Sequence, residues 1–215
     1  MGTRHLILVY YKGAYHIAQY GQWDGYPSGQ GAIVLAFARD PTNITRLKAV
    51  IDAGLLYEPT EVQIRNYRDE AETLEEDWYE RYMKTSILEL RRANQEEFRR
   101  PMELVCPTLS CYTGARILEL AANAEGPFPV VREGFKGCEE WVYVVDLDEG
   151  VVEAWDCDGS REDQIESERF DDVEEWLEMD GYPLSLVGKW ALDGLPSKKE
   201  FVRKCNRPSA GEYGY

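Results

Sequence analysis

Two runs rich in β-branched and aromatic residues, His5–Tyr11 and Ala14–Tyr20, are separated only by Lys12-Gly13. A gap this short leaves an antiparallel hairpin as the way to pair them, because a parallel return needs a dozen residues or more. With a two-residue turn, Tyr11 faces Ala14, Val9 faces His16, and His5 and His16 share a face. A second pair of runs, Trp141–Leu147 and Val151–Trp155, repeats the pattern around Glu149-Gly150. Two such hairpins argue against a parallel, doubly wound sheet. The segments between them are helical in character, so the expected fold class is α+β: a mostly antiparallel sheet built from two hairpins, with helices packed on one face.

Ala32–Arg39 is apolar nearly all round and predicts a short buried helix. Pro41 opens the next, with Ile44, Leu47, Val50 and Ile51 inward and Gly54 at its end. Residues 55–72 read as irregular and polar. Thr73 and Glu76 form a capping box that predicts a long helix to about Phe98, its face carrying Leu74, Trp78, Tyr82 and Leu88. After a loop over 101–112, a helix is expected from Thr113 to Asn123 with Ile117, Leu118 and Ala121 inward. Gly126–Lys136 reads as a connector, Asp171–Glu178 as a short helix and Leu184–Leu192 as a strand. Ser197 and Glu200 cap a last helix that turns Phe201, Val202 and Cys205 inward. Residues 1–205 are expected to form one domain and 206–215 a mobile tail.

The chain of 215 residues carries a net charge of −16. Residues 139–180 hold 18 Asp and Glu against Arg161 and Arg169, so this one segment accounts for all of it. Direct nucleic-acid binding through a phosphate-neutralising face is disfavoured. What remains is a solvated acidic surface, a docking face for a basic protein partner, or mimicry of a nucleic acid. The longest uninterrupted apolar run, Ala32–Ala38, is far too short for a membrane span. No small-residue cleavage site follows Leu6–Tyr11. A cytoplasmic location with no membrane partner is therefore expected. The five cysteines, odd in number and irregularly spaced, then read as reduced thiols. No phosphate-binding loop, dinucleotide fingerprint or zinc motif is present, and neither a cofactor nor a metal is expected. Asp146 and Glu153 would face each other across a two-residue turn, an arrangement that favours solvated acids.

The stretch Gln22-Trp23-Asp24-Gly25-Tyr26-Pro27-Ser28-Gly29-Gln30-Gly31 joins flat apolar side chains to directional polar ones, with glycines that let a ligand or backbone approach. In a pocket here, Asp24 is the polar anchor or general base and Trp23 and Tyr26 are walls. Gln22 and Gln30 supply hydrogen bonds, and Arg4 and His5 assist. The same residues also suit a packed corner in which Asp24 accepts backbone N–H groups and Ser28 caps a helix. A second loop, Ser110–Thr113, precedes a helix start, which favours thiolate at Cys111. A thiol nucleophile needs a base, and His5 and His16 are the chain's histidines, so either would partner Cys111. Arg4, Arg39 and Arg116 lie near the two loops in sequence and suit an anion clamp.

Together these residues predict a small-molecule or peptide-binding protein of hydrolase type, with Asp24, His5 and Cys111 as catalytic candidates. An amidohydrolase of the N-terminal nucleophile class starts on such a strand, and Thr3 would be its nucleophile if Met1 and Gly2 were removed. The alternative is a non-enzymatic interaction protein that uses the acidic 139–180 face to bind a basic partner.

The opening Met-Gly-Thr-Arg, the hairpin and Ala-Gln-Tyr-Gly-Gln-Trp-Asp-Gly-Tyr-Pro resemble an uncharacterised group of phage, bacterial and fungal proteins. Leu-Ser-Cys-Tyr-Thr-Gly-Ala-Arg-Ile-Leu at 109–118 and Trp-Val-Tyr-Val-Val-Asp-Leu-Asp at 141–148 fit the same pattern. The resemblance spans most of the chain and brings no established activity with it. Where that group carries a charged pair before Thr-Gly, this chain has Cys111-Tyr112. A reactive thiol here would be particular to this chain.

Overall fold

The computed structural model describes residues 2–86, 98–132, 140–157, 165, 167–170 and 184–206. Within them the strands are β1 (His5–Tyr11), β2 (Ala14–Gly21), β3 (Leu56–Tyr57), β4 (Phe128–Pro129), β5 (Trp141–Asp146), β6 (Val151–Asp156) and β7 (Ser185–Ala191). The helices are α1 (Ala32–Arg39), α2 (Pro41–Asp52), α3 (Glu61–Lys84), α4 (Pro101–Val105), α5 (Ile117–Ala122) and α6 (Lys198–Cys205). The main sheet has the order β2-β1-β5-β6-β7. It is antiparallel except at its centre, where β1 and β5 run parallel with His5 beside Trp141. The long helical stretch between the hairpins is the crossover that such a parallel pair requires. The chain is thus α+β, as expected.

Both hairpins form, each departing from the expected register. In the first, Lys12 and Gly13 both take positive φ, 51° and 76°, the turn geometry whose twist matches that of the strands. A bulge after Val9 sets Val9 against Ile17 and Tyr10 against Tyr15. His16 falls at the irregularity, not opposite Val9, and its Nε2 donates to the Tyr11 carbonyl at 2.9 Å. In the second, the turn spans Leu147–Gly150, so Asp146 pairs with Val151 and Glu153 with Val144. The two turns are tied together. The Asp148 carboxylate accepts the N–H groups of Lys12 (2.8 Å) and Gly13 (2.9 Å), and the Leu147 N–H donates to the Tyr10 carbonyl at 2.8 Å.

The sheet is buried on both faces, which explains why β1 and β5 read as continuous apolar runs and not as alternating ones. Ile7, Val9, Ile17, Tyr143, Val145 and Val152 pack against Val34, Leu35, Leu47, Ile117, Leu118 and Phe201 of α1, α2, α5 and α6. On the other face Leu6, Leu8, Val142, Val144 and Trp155 are covered in part by Cys157, Phe170 and Leu184. Each such side chain, fully buried, stabilises the fold by roughly 1.5–3 kcal/mol.

Helix α3 begins at Glu61, thirteen residues before the predicted start. Thr60 and Gln63 form its capping box, with the Thr60 N–H donating to Gln63 Oε1 at 2.9 Å and the Gln63 N–H to Thr60 Oγ1 at 3.3 Å. Thr73 lies inside the helix and turns its hydroxyl back to the Glu70 carbonyl. Of the expected inward face only Trp78 is buried; Leu74 and Tyr82 are exposed, and Leu88 lies outside the described residues. The Ser197–Glu200 box of α6 is present as expected. The predicted helix at Asp171–Glu178 and the tail beyond Asn206 also lie outside the described residues. Among the described residues no helix is long and apolar enough to cross a membrane.

Candidate functional site

The last pair of the first hairpin sets His5 against Gly21. Any Cβ at Gly21 would sit 2.1 Å from His5 Cε1, so the missing side chain is what lets the imidazole lie across the end of β2. The chain then folds back over the start of β1. The Gly25 N–H donates to the Thr3 carbonyl at 2.8 Å. The Gly25 carbonyl accepts the hydroxyl of Tyr143, a fully buried side chain of the central strand, at 2.8 Å. A Cβ on Gly25 would lie 2.7 Å from the Thr3 oxygen and 2.8 Å from His5 Cβ.

Asp24 occupies the left-handed region at φ 56°, which Asp tolerates better than most residues. Its backbone carbonyl accepts the Gln30 N–H at 2.8 Å. Its carboxylate takes the Tyr26 hydroxyl at 3.0 Å and is otherwise turned to solvent, the residue being exposed. The packed-corner expectation, in which backbone N–H groups occupy this carboxylate, does not describe the geometry.

The opposite wall comes from residues 110–115, which are laced to the hairpin and the loop. The buried Gln19 amide donates to the Ser110 carbonyl at 3.0 Å. The Gln22 N–H donates to the Cys111 carbonyl at 2.9 Å. Gln30 Oε1 accepts the Ala115 N–H at 2.8 Å. Between the two walls is a cavity of about 260 Å³ lined by His5, Trp23, Asp24, Gln30, Cys111 and Tyr112.

Two of these, His5 and Cys111, have distinct chemistry. His5 is 1% exposed, and neither ring nitrogen has a hydrogen-bond partner. Burial pushes its pKa down from 6.5 to about 4. The Thr3 carbonyl, which falls short of hydrogen-bond geometry, and the Asp24 charge pull weakly the other way. The ring is thus a neutral imidazole at physiological pH. Cys111 is half-buried and carries a thiol, as do Cys106, Cys157 and Cys205 among the described residues. The groups at the helix start after it are engaged elsewhere. Residues 114–116 form a single tight turn before α5, Gln30 occupies the Ala115 amide, and Thr113 donates its hydroxyl to the Pro107 carbonyl without capping.

Of the sequence candidates, His5, Trp23, Asp24, Gln30 and Cys111 share the cavity. Gln22 accepts the Tyr20 hydroxyl at 2.6 Å, and Tyr26 contributes through Asp24. His16 lies five residues along β2 from the Gly21 that pairs with His5 and lines a separate recess with Tyr15, Tyr57 and Arg132, which leaves His5 as the histidine that shares the cavity with Cys111. Arg4 is half-buried, with its carbonyl accepting the Glu140 N–H. Arg39 donates to the Pro196 carbonyl, and Arg116 pairs with Glu103 at 3.4 Å. None of the three lines the cavity. Thr3 likewise stands outside the lining and offers its carbonyl to Gly25.

A second polar cluster escaped the sequence. Asp146 and Glu153 are 1% and 0% exposed, not solvated as expected. The four-residue turn makes them diagonal neighbours on one face of the sheet, where Arg169 bridges them. Its Nη2 lies 2.5 Å from Asp146 Oδ2 and its Nε 2.5 Å from Glu153 Oε2. Trp155 Nε1 donates to Glu153 at 3.0 Å, and Lys189 lies 3.3 Å from it. Two acids of the acidic segment are therefore interior. The stretch 171–180 of that segment lies outside the described residues. Among the described residues no group of three His, Cys, Asp or Glu side chains gathers as a metal site.

Comparison of the chain with protein-family models, with curated proteins and with solved structures gives no match.

Proposed function

We propose that the cavity beneath the Gln22–Gly31 loop binds a small molecule or a peptide side chain and supports thiol-dependent hydrolysis. The observation that carries this reading is His5. A buried donor or acceptor without a partner costs about 1–3 kcal/mol, and this ring has two such nitrogens on a residue that lines a cavity together with a thiol and a carboxylate. Unpaired buried groups of this kind recur where a ligand completes the hydrogen bonding.

In this reading Cys111 Sγ attacks the carbonyl carbon of an ester or amide and its proton passes to His5. The protonated ring then gives that proton to the departing alcohol or amine, leaving a thioester on Cys111. Water attacks the thioester while His5 accepts its proton, and the proton returns to the thiol as the acid leaves. A neutral imidazole is the form that can begin this cycle; its lowered pKa makes it a ready donor once protonated and a weak acceptor of the thiol proton until a bound ligand changes its surroundings. Asp24 orients the substrate.

Iodoacetamide labelling followed by peptide mass spectrometry tests the reading, with half-buried Cys157 as internal reference. Cys111 is expected to label several-fold faster than Cys157 in the native chain, and His5→Gln to remove that difference. Equal rates at the two cysteines, unchanged by His5→Gln, would overturn it.

A further inference from the structure

The lining of the cavity is chemically one-sided. Asp24 is the charged side chain in it, His5 is neutral, and among the described residues no Lys or Arg contributes. The Asp24 carboxylate is held in place at both ends. The Gln30 N–H fixes its backbone at 2.8 Å and the Tyr26 hydroxyl steadies one oxygen at 3.0 Å. Beside it the Trp23 ring is 46% exposed and Tyr112 is 40% exposed. Flat π faces next to a carboxylate are the arrangement that holds organic cations, through ring quadrupole and charge together. The rim already displays this preference, since the Arg100 guanidinium sits 3.9 Å from the Tyr112 ring centroid. An anion would meet Asp24 with like charge inside the lining, where the Arg100 guanidinium does not reach beyond its stack on Tyr112. The volume of about 260 Å³ lies below the roughly 300–1,000 Å³ of sites for whole drug-sized ligands. It suits one functional group of a larger molecule or a small free amine.

Resting on the ligand-binding reading above, we infer that the group this cavity takes is an organic cation, a guanidinium or ammonium, held by the Asp24 carboxylate against the Trp23 face. His5 completes the recognition. Its unpartnered nitrogen accepts an N–H from the cation and satisfies a buried acceptor that otherwise has none. The net charge of −16 favours arrival of such a ligand at low salt.

The test uses the full chain and pairs of near-isosteric probes. Nα-acetyl-arginine amide is compared with Nα-acetyl-citrulline amide, and Nα-acetyl-lysine amide with its Nε-acetylated form; agmatine stands for a free amine. With two histidines in the chain, the His5 Hε1 resonance, assigned with a His16→Gln variant, reports binding at this site. The cationic member of each pair is expected to bind at least tenfold more tightly. Asp24→Asn is expected to remove that preference while the circular dichroism spectrum is unchanged. Agmatine binding as well as the arginine amide identifies a free amine as sufficient; weaker binding by agmatine assigns the cation to a peptide side chain. Equal binding of citrulline and arginine amides would overturn the charge inference and leave the ligand site standing. So would no binding of any probe if Cys111 still shows His5-dependent labelling. No binding together with ordinary Cys111 labelling would remove both.

Discussion

The buried, unpartnered imidazole has a thermodynamic consequence that needs no ligand to observe. In the unfolded chain His5 titrates near its ordinary 6.5; in the fold, burial lowers it to about 4. Between those values the unfolded state binds a proton that the folded state refuses, so stability is intact above about pH 6.5 and is lost as the pH falls toward 4. The full gap is worth roughly 3 kcal/mol at 1.36 kcal/mol per pKa unit. Between about pH 7.5 and pH 4.5 the expected loss is roughly 2.5 kcal/mol. Other carboxylates titrate over part of this range, so the assay is urea unfolding of the native chain and His5→Gln in parallel. Gln cannot protonate, and the difference between the two stabilities isolates the histidine. That difference should shrink by roughly 2.5 kcal/mol on acidification, and the His5 Hε1 resonance should not shift until well below pH 6. A midpoint near 6.5, with a stability difference flat to within about 0.5 kcal/mol, would refute the burial reasoning, because an imidazole solvated enough to titrate normally costs nothing to charge.

Two further outcomes follow from the fold. Arg169→Met leaves the buried Asp146 and Glu153 carboxylates without their bridge, with an expected loss of about 3–5 kcal/mol. At roughly 2–4 °C per kcal/mol for a chain this size, that lowers Tm by about 6–20 °C. Adding Asp146→Asn and Glu153→Gln should restore most of it, and a Tm unchanged in Arg169→Met would show that the ion pair is not needed. Thr60→Ala removes the capping box of α3 and should cost about 1 kcal/mol. Because that helix buries little besides Ala71 and Trp78, the loss should appear as faster amide exchange over its first turns, with global Tm nearly unchanged; protection there equal to that of the native chain would count against the cap.

What the sequence discloses divides along the range of the interactions. Features fixed within a few residues are legible. The Lys12-Gly13 turn sets the first hairpin, Pro41 and Gly54 bound α2, and Ser197 with Glu200 starts α6. Errors arise where two local signals compete. Thr60-Gln63 and Thr73-Glu76 both satisfy the capping pattern, and only the first is followed by a turn that has to begin there. A turn two residues longer than expected moves Glu153 from opposite Asp146 to opposite Val144, and the pair changes from solvated to interior. The site is intermediate. Loop residues Trp23, Asp24 and Gln30 stand out by composition, but the approach of Cys111 depends on backbone bonds such as Gln22 N–H to the Cys111 carbonyl, which no side-chain pattern announces. The bulge that shifts His16 from opposite Val9 is equally silent, because any residue can occupy it.

The parallel contact of β1 with β5 bears on how the protein is made. His5 emerges from the ribosome 136 residues ahead of its neighbour Trp141. At roughly 5–20 residues per second this is a wait of about 7–27 s. Throughout that interval the first hairpin, formed within microseconds, presents the open side of β1, an apolar strand edge with nothing to pair with. The nascent chain therefore exposes this edge at one predictable stage, and translation that stalls before residue 141 should yield aggregation-prone fragments. The same timing bears on the cavity, since its histidine lies on the waiting strand and the Tyr143 hydroxyl that holds the Gly25 carbonyl of its loop arrives only with β5.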